Sequence, residues 1–213
     1  MKKYLLVSLL MFIIISCSNS RIVQSPEYDD ELIERSLSVS IDFTNLLVSN
    51  EDDITDDLGE GKPADLYKNF FLFSLLNNLR TQSNFKKVSI DSSINREQFE
   101  QNILAINSEE KLTIRLPKNN IPNNSLYDFT LLIENVSIGN NYRPSKNYTR
   151  KALLHKMNYA IWDNKVSKVV SYGILEVETE EFFPVITKGT WESSVRTIVQ
   201  EIISASPFKK KLS

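Results

Sequence analysis

The sequence predicts an α+β domain in which two main amphipathic helices pack on one face of a mainly antiparallel sheet of four to five strands. Three observations lead to this fold class. Apolar and polar residues alternate strictly over residues 36–43, as in a half-buried strand. Residues 63–80 carry apolar side chains at steps of three and four, as on one face of a helix. Two long alternating runs flank the turn residues 163–165 and predict a β-hairpin.

The first half of the domain is predicted to alternate between strands and helices. The elements are a strand at 36–43, an acidic loop at 50–62, a helix at 63–80, a strand at 86–91 and a short helix at 96–105. Pro63 suits the first position of a helix, where its missing N–H costs nothing. Asn95 and Gln98 resemble a capping box, which is the reason for expecting a helix after them.

The second half is predicted to be mostly strand and to end in a helix. The elements are strands at 111–116, 127–138, 150–162 and 166–178, a loop at 139–144 and a helix at 190–205. The hairpin 150–178 alternates through Leu153, His155 and Met157, which are expected to face the core. Thr190 is predicted to cap the last helix, and Pro207 to end it. This order of elements is typical of helices packed on one face of an antiparallel sheet.

The composition excludes some classes of function. The chain has 213 residues, of which 41% are hydrophobic and 24% are charged, as in an ordinary folded domain. Its net charge is −2, and it becomes −4 if Lys2 and Lys3 are removed with a leader. A mildly acidic chain offers no electrostatic reason to bind nucleic acid. Cys17 is the only cysteine, so a disulfide within the chain and a zinc site of several thiolates are both excluded.

The N-terminus has the pattern of an export signal followed by a lipid attachment site. Lys2 and Lys3 precede an apolar run at residues 5–15, which is too short to cross a bilayer comfortably. The run ends in Ile14-Ile15-Ser16-Cys17, which resembles the lipobox of bacterial lipoproteins. This resemblance implies diacylglycerol on the Cys17 thiol, cleavage just before Cys17 and acylation of the new amino group. Two or more acyl chains anchor a protein stably.

These patterns predict four segments and a location. Residues 1–16 are a signal peptide, 17–35 a lipidated N-terminus with a flexible tether, 36–206 a single α+β domain and 207–213 a basic tail. Ser18 stands where an aspartate would indicate retention in the inner membrane of enterobacteria. We therefore expect an outer-membrane anchor that faces the periplasm, with the inner membrane and the cell surface as alternatives.

Few residues are candidates for chemistry. His155 is the only histidine, and its position among apolar residues favours a structural, core-facing role. The acidic run 51–60 could hold Ca²⁺, but its carboxylates do not have EF-hand spacing, so a solvated loop is preferred. Glu176, Glu178 and Glu180 share one strand face and are expected on its solvent side. The chain has no nucleotide-binding glycine motif, no nucleophile elbow and no metal-binding histidine pair, so no cofactor and no nucleotide are predicted.

From residue 127 onwards the layout resembles small envelope lipoproteins. The residues that carry this resemblance are Tyr127-Asp128-Phe129-Thr130-Leu131, the hairpin turn 162–170, the closing helix and the helix 63–80 that leads into Phe85-Lys86-Lys87-Val88. The pattern is similar to penicillin-binding-protein activator lipoproteins and to the auxiliary lipoproteins of ABC-type lipid transport. It implies a small sheet covered by helices that acts through protein contacts, without catalysis.

Three functions are therefore considered. The first is a non-catalytic accessory or adaptor subunit of a cell-envelope assembly for transport or wall synthesis, held to the membrane by lipid on Cys17 and bound to an unidentified envelope protein. The second is an envelope enzyme that uses carboxylates, which would need close, desolvated carboxylates in a cleft. The third is a carrier of lipid or another apolar ligand, which would need an aromatic-lined cavity between helix and sheet.

Overall fold

The computed structural model describes residues 15–28, 35–91, 96–118, 126–144, 149–180 and 186–209. Three layers are stacked: helices, a large central sheet and a two-stranded ribbon on the opposite face. The strands are β1 (Ile15–Ser18), β2 (Arg21–Gln24), β3 (Ser36–Ile41), β4 (Leu47–Val48), β5 (Lys87–Ile90), β6 (Phe99–Ala105), β7 (Lys111–Pro117), β8 (Phe129–Pro144), β9 (Thr149–Asp163) and β10 (Lys168–Glu180). The helices are α1 (Glu51–Leu58), α2 (Pro63–Gln82) and α3 (Lys188–Ser204).

The central sheet corrects the predicted fold class. Among the described residues it is an eight-stranded mixed sheet with the order β1-β10-β9-β8-β3-β5, in which β2 also pairs with β10 and β4 with β8. β3 runs parallel to both β5 and β8, while β8, β9 and β10 are antiparallel. The prediction of a mainly antiparallel sheet of four to five strands is therefore wrong. The physical reason is the crossover through α2, which returns the chain to the same end of the sheet and makes β5 parallel to β3.

The core between the sheet and the helices follows the predicted alternation. Leu37, Val39, Phe129 and Leu131 are fully buried on the helix side of their strands. Tyr67 and Phe71 of α2 stack on each other with ring centroids 5.5 Å apart, and Trp191 of α3 lies 6.3 Å from Tyr67. Burial of such large apolar side chains is the main favourable term in folding.

Two segments of the first half differ from their predicted conformation. The predicted acidic loop contains α1, whose buried Ile54 packs into the core. The predicted helix 96–105 is a short 3₁₀ turn (Arg96–Gln98) followed by β6. β6 pairs with β7 to form the β6–β7 ribbon, which covers Leu132, Ala160 and Trp162 on the second face of the sheet. Residues 99–105 form a strand because the folded sheet offers them a large apolar surface to pack on. The local sequence does not contain that surface, so it could not predict the strand.

Both ends of the described chain are built into the fold. Residues 17–35 were predicted as a tether, yet β1 and β2 pair with β10 along the edge of the sheet; residues 29–34 lie outside the described part. The predicted tail from residue 207 begins with a buried Phe208, whose ring lies 4.4 Å from Phe85 and 4.7 Å from Phe129. The signal-peptide prediction falls outside the described residues except for Ile15 and Ser16. No helix in the described ranges is long and apolar enough to cross a membrane.

Candidate functional site

Cys17, the predicted lipid attachment site, is exposed on the outermost strand of the central sheet. It pairs with Glu178 of β10, and Arg21 of β2 pairs with Ile174 in the same register. No residue is inserted between the two pairings, so residues 17–24 follow β10 as one continuous edge. The thiol is therefore accessible, but the backbone that carries it is tied to the domain.

Gly173 explains how closely this edge approaches β10. A Cβ atom at Gly173 would clash with the backbone carbonyl of Arg21, which lies on the neighbouring strand. A glycine in a strand often marks such a close approach of another backbone. Next to it, the amide of Asn19 donates to the carbonyl of Glu176 at 2.9 Å. The edge formed by residues 17–24 is thus part of the packed sheet.

His155 lies in the core, as its alternation predicted. It is fully buried, and its Nδ1 lies 2.8 Å from the Oγ of Ser194. The rings of Tyr67, Phe71 and Trp191 surround it, and its Nε2 has no hydrogen-bond partner among the residues that the structure describes. Burial lowers the pKa of His155 to about 3, which keeps the imidazole neutral. A sealed neutral histidine without access to solvent has the properties of a core residue.

The acidic run is a helix whose inward carboxylates already have partners. Asp53 forms an ion pair with Lys151 and accepts a 2.6 Å hydrogen bond from Asn140. Burial alone would raise the pKa of Asp53, but these hydrogen bonds outweigh it and lower the pKa. Asp57 accepts a hydrogen bond from the indole of Trp191 at 2.9 Å, and burial raises the pKa of Asp57. Within the described residues, no three His, Cys, Asp or Glu side chains could jointly hold a metal ion.

The second acidic group is only partly on the solvent side. Glu178, which was expected to be exposed, is 7% exposed and accepts a 2.7 Å hydrogen bond from Arg143. Glu176 forms an ion pair with Lys156 at 3.2 Å. The strand face is the predicted one, but the long β8–β9 hairpin beside it supplies basic partners that the pattern of β10 alone cannot reveal.

The sequence pattern did not reveal that two buried carboxylates form a network with two partly exposed arginines, which we call the arginine–carboxylate network. Asp42 and Glu134 are 8% and 5% exposed. Glu134 Oε1 accepts hydrogen bonds from Arg96 at 2.9 Å and from Arg115 at 3.1 Å, and its Oε2 accepts one from the Arg115 amide. Asp42 forms ion pairs with both arginines.

A cavity of about 260 Å³ lies beside this network and is lined by Asp42, Glu134, Arg115, Thr113, Gln101 and Asn135. Asn135 has a φ of +54° at a β-bulge in β8, where the register shifts between Glu134 and Ser137. Bulges recur beside functional sites because they re-aim side chains. Glu134 faces the ribbon by ordinary alternation with Leu132, and the bulge after it returns Val136 to the core on the helix side. The network therefore fastens the ribbon to the sheet and leaves an open polar cleft at its side.

One signal in the sequence could have indicated this network. Glu134 is a charged residue that directly follows the apolar run Leu131-Leu132-Ile133, and such a residue needs a partner when it is buried. Arg96 and Arg115 could not be identified as those partners. Arg96 was assigned to a helix, and the packing of the ribbon on β8 is a long-range contact.

A second cavity, of about 340 Å³, lies at the other side of the ribbon. Its lining includes Glu100, Asn102, Leu104 and Trp162. The indole nitrogen of Trp162 is buried and has no hydrogen-bond partner in the described part of the chain. Both cavities lie on the ribbon face of the sheet, whereas the side with the helices is packed with aromatic rings.

Comparison with known proteins gives distant structural likenesses. No protein-family model and no curated protein matches the chain. The PelC dodecamer from Paraburkholderia phytofirmans is 8% identical with a TM-score of 0.42, over 92% of this chain and 100% of that chain. A neuraminyllactose-binding hemagglutinin homolog from Helicobacter pylori is 10% identical with a TM-score of 0.38, over 83% of this chain and 85% of that chain. At these values the likenesses carry no argument about function.

Proposed function

We propose that this protein is a lipoprotein anchored by lipid on Cys17 and acts as a non-catalytic adaptor subunit of a cell-envelope assembly. Its anchor would lie in the outer membrane and face the periplasm, and its partner would be another envelope protein. The observation that carries this proposal is the position of Cys17. The only cysteine of the chain follows a basic and apolar leader directly, and it is exposed at the edge of the folded domain.

The adaptor function is supported by the burial and pairing of the histidine and carboxylate side chains that could otherwise take part in catalysis. His155 is sealed among aromatic rings, and Asp53 and Glu178 are each bound by a basic side chain. Chemistry at neutral pH usually requires a nucleophile with a base, a metal, or carboxylates with separated pKa values. The carrier alternative loses support because the layer between sheet and helices is filled by Tyr67, Phe71 and Trp191.

The exposed apolar side chains on α2 and β5 offer a surface for a protein partner. Phe73 of α2 is 69% exposed and Ile90 of β5 is 48% exposed. The two elements are adjacent, since Arg80 of α2 donates hydrogen bonds to the Val88 carbonyl of β5. Aromatic side chains such as that of Phe73 are enriched at protein interfaces relative to the rest of the protein surface.

A carboxylate-dependent enzyme is the second candidate, because Asp42 and Glu134 are desolvated beside a cleft. Both carboxylates are bound by guanidinium groups, which favours a structural use. The test is the double variant Asp42→Asn with Glu134→Gln, expressed in cells that lack the native copy. If the variant is folded and correctly localised, captures its partner and yet has no function, the cleft is an active site and the adaptor proposal fails.

Lipidation is tested by metabolic labelling with palmitate. The wild-type chain should incorporate label, whereas Cys17→Ser should remain an unlabelled precursor. Equal labelling of the two chains would refute the lipoprotein proposal.

The adaptor role is tested by cross-linking in cells, followed by affinity purification from detergent-solubilised membranes. Phe73→Asp should reduce recovery of the cross-linked partner. Val166→Asp is the matched control, since Val166 is a similarly exposed apolar residue in the distant β9–β10 turn. Equal recovery with both variants would exclude the α2–β5 surface as the contact.

A further inference from the structure

The anchor residue lies part of the way along a strand edge, and this position constrains how the domain meets the membrane. Cys17 is paired in register with Glu178, Glu178 with Leu154, and Leu154 with Gly139. These four residues form one row across β1, β10, β9 and β8. Because the edge of residues 17–24 is hydrogen-bonded to β10, the described chain has no slack between Cys17 and the sheet.

The sheet extends well beyond this row in both directions. β8 continues five residues past Gly139 to Pro144, which is about 17 Å at 3.4 Å per residue. In the other direction β10 begins at Lys168, ten residues before Glu178, or about 34 Å away. The lipid is therefore attached neither at one end of the strands nor at the other.

If the strands stood along the membrane normal with the β8–β9 end down, this end would enter the bilayer. The headgroup layer is about 5–8 Å thick on each side, so an overhang of about 17 Å would reach the hydrocarbon. Arg143 and Lys151 lie on the overhang, and charged side chains are costly at that depth. The backbone of open strands is also not tolerated there. With the opposite end down, the overhang of about 34 Å would reach deeper still. The strands must then lie within about 30° of the membrane plane if the β8–β9 end is the lower one, and within about 15° if the other end is lower.

A domain whose strands lie close to the membrane plane can still rotate about the strand axis. The positions of the helices and of the β6–β7 ribbon select one of these rotations. With either face down, the helices or the β6–β7 ribbon would lie between the sheet and the bilayer. Packed layers are about 10 Å apart, which exceeds the reach of a cysteine side chain. With the edge down, Cys17, Asn19 and Arg21 are exposed on the strand nearest to the headgroups. The water-rich headgroup layer can also satisfy the outer backbone groups of this edge.

We propose that the lipidated domain stands on the edge of its sheet formed by residues 17–24, with this edge along the headgroups of the membrane and β5 farthest from it. This proposal rests on the lipidation of Cys17 proposed above. It makes the membrane surface the partner of an edge strand that would otherwise be open to pairing with another chain. It also presents Phe73 and Ile90, on the α2–β5 side, away from the membrane towards other envelope proteins.

Two exposed positions distinguish this orientation from the alternatives. Gln24 and Ile90 lie in one row across the sheet, through Ser171, Ile161, Leu131 and Val39. They occupy opposite edges and are separated by five strand spacings, or about 24 Å. Glu27, three residues after Gln24, is 61% exposed and suits a label. An upright domain would hold Glu27 and Ile90 at the same height, whereas an edge-on domain places only Glu27 at the membrane.

The experiment uses the lipidated full chain in phosphatidylcholine vesicles that contain a lipid with a nitroxide on its headgroup. Glu27→Cys and Ile90→Cys are each labelled with a fluorophore at the new thiol, since the Cys17 sulfur is blocked by lipid. The nitroxide should quench the label at position 27 several-fold more than the label at position 90.

Weak quenching at both positions, from an upright domain, a detached edge or a dimer through this edge, would overturn the proposal. Strong quenching at both, from a face-down domain, would overturn it as well. Failure of lipidation is distinguished separately, because neither variant would then incorporate palmitate.

Discussion

Acid should destabilise this domain through its only histidine. Burial lowers the pKa of His155 to about 3 in the folded chain, against about 6.5 in the unfolded chain. The unfolded state therefore binds the proton more readily. The stability that depends on neutral His155 is fully present above about pH 6.5 and is lost as the pH falls towards 3.

The size of the effect follows from these two pKa values. Between about pH 7.5 and pH 5, linkage gives a loss of about 2 kcal/mol in the free energy of unfolding. Among carboxylates, Asp128 has a pKa lowered to about 2, because hydrogen bonds from Lys165 and Ser36 outweigh the opposing effect of burial. Its contribution is lost mostly below pH 4. Protonation of His155 should therefore account for most of the change in the free energy of unfolding between pH 5 and 7.5.

The assay is urea unfolding followed by tryptophan fluorescence, since Trp162 and Trp191 are both buried. Wild type is compared with His155→Gln at several values between pH 5 and 7.5. The variant keeps every carboxylate but cannot gain a proton at this site, so its stability should change much less with pH even if it is lower throughout. If the two proteins lose stability in parallel, His155 is not the titrating group and the reasoning fails.

Three further substitutions test the packing, each by thermal and urea unfolding. Trp191→Ala removes a fully buried side chain that joins α3 to the sheet, and should cost about 3–5 kcal/mol; an unchanged melting temperature would show that the helix docks elsewhere. Arg96→Ala should cost somewhat less than the about 3–5 kcal/mol typical of a broken buried ion pair, because a second arginine still faces Glu134. Phe208→Ala should also cost about 3–5 kcal/mol, and a loss near zero would mean that the C-terminal residues are not part of the core.

Much of the secondary structure could be predicted from the sequence. The helix 63–80, the strands around 36–43 and 111–116 and the hairpin 150–178 all have regular apolar spacing, and the structure has elements at these places. The prediction that the helix 190–205 shares a core with the hairpin is confirmed by Trp191 and Ser194, which contact His155 of β9. Each of these elements is one continuous stretch of sequence, so the spacing of its apolar residues is enough to predict it.

The candidate sites also differ in whether they depend on local sequence or on contacts between distant parts of the chain. Cys17 could be proposed as a lipid attachment site from the sequence because the leader that precedes it is a local pattern. The arginine–carboxylate network was missed because its members come from β8, β7, the 3₁₀ turn and the segment after β3, which are distant along the chain.

The sequence by itself determined where α2, α3, β3, β7 and the β9–β10 hairpin form, since a strand or helix shows one face to the core with a fixed period. Only the tertiary structure decided how those elements pair. The crossover through α2 made β5 parallel to β3, and the apolar surface of β8 and β9 drew residues 99–105 into a strand. Likewise, the open edge of β10 took up residues 17–24, which have too few apolar residues to specify a strand alone. In each case the deciding energy comes from a partner surface far away in the chain, and periodicity within one segment cannot report it.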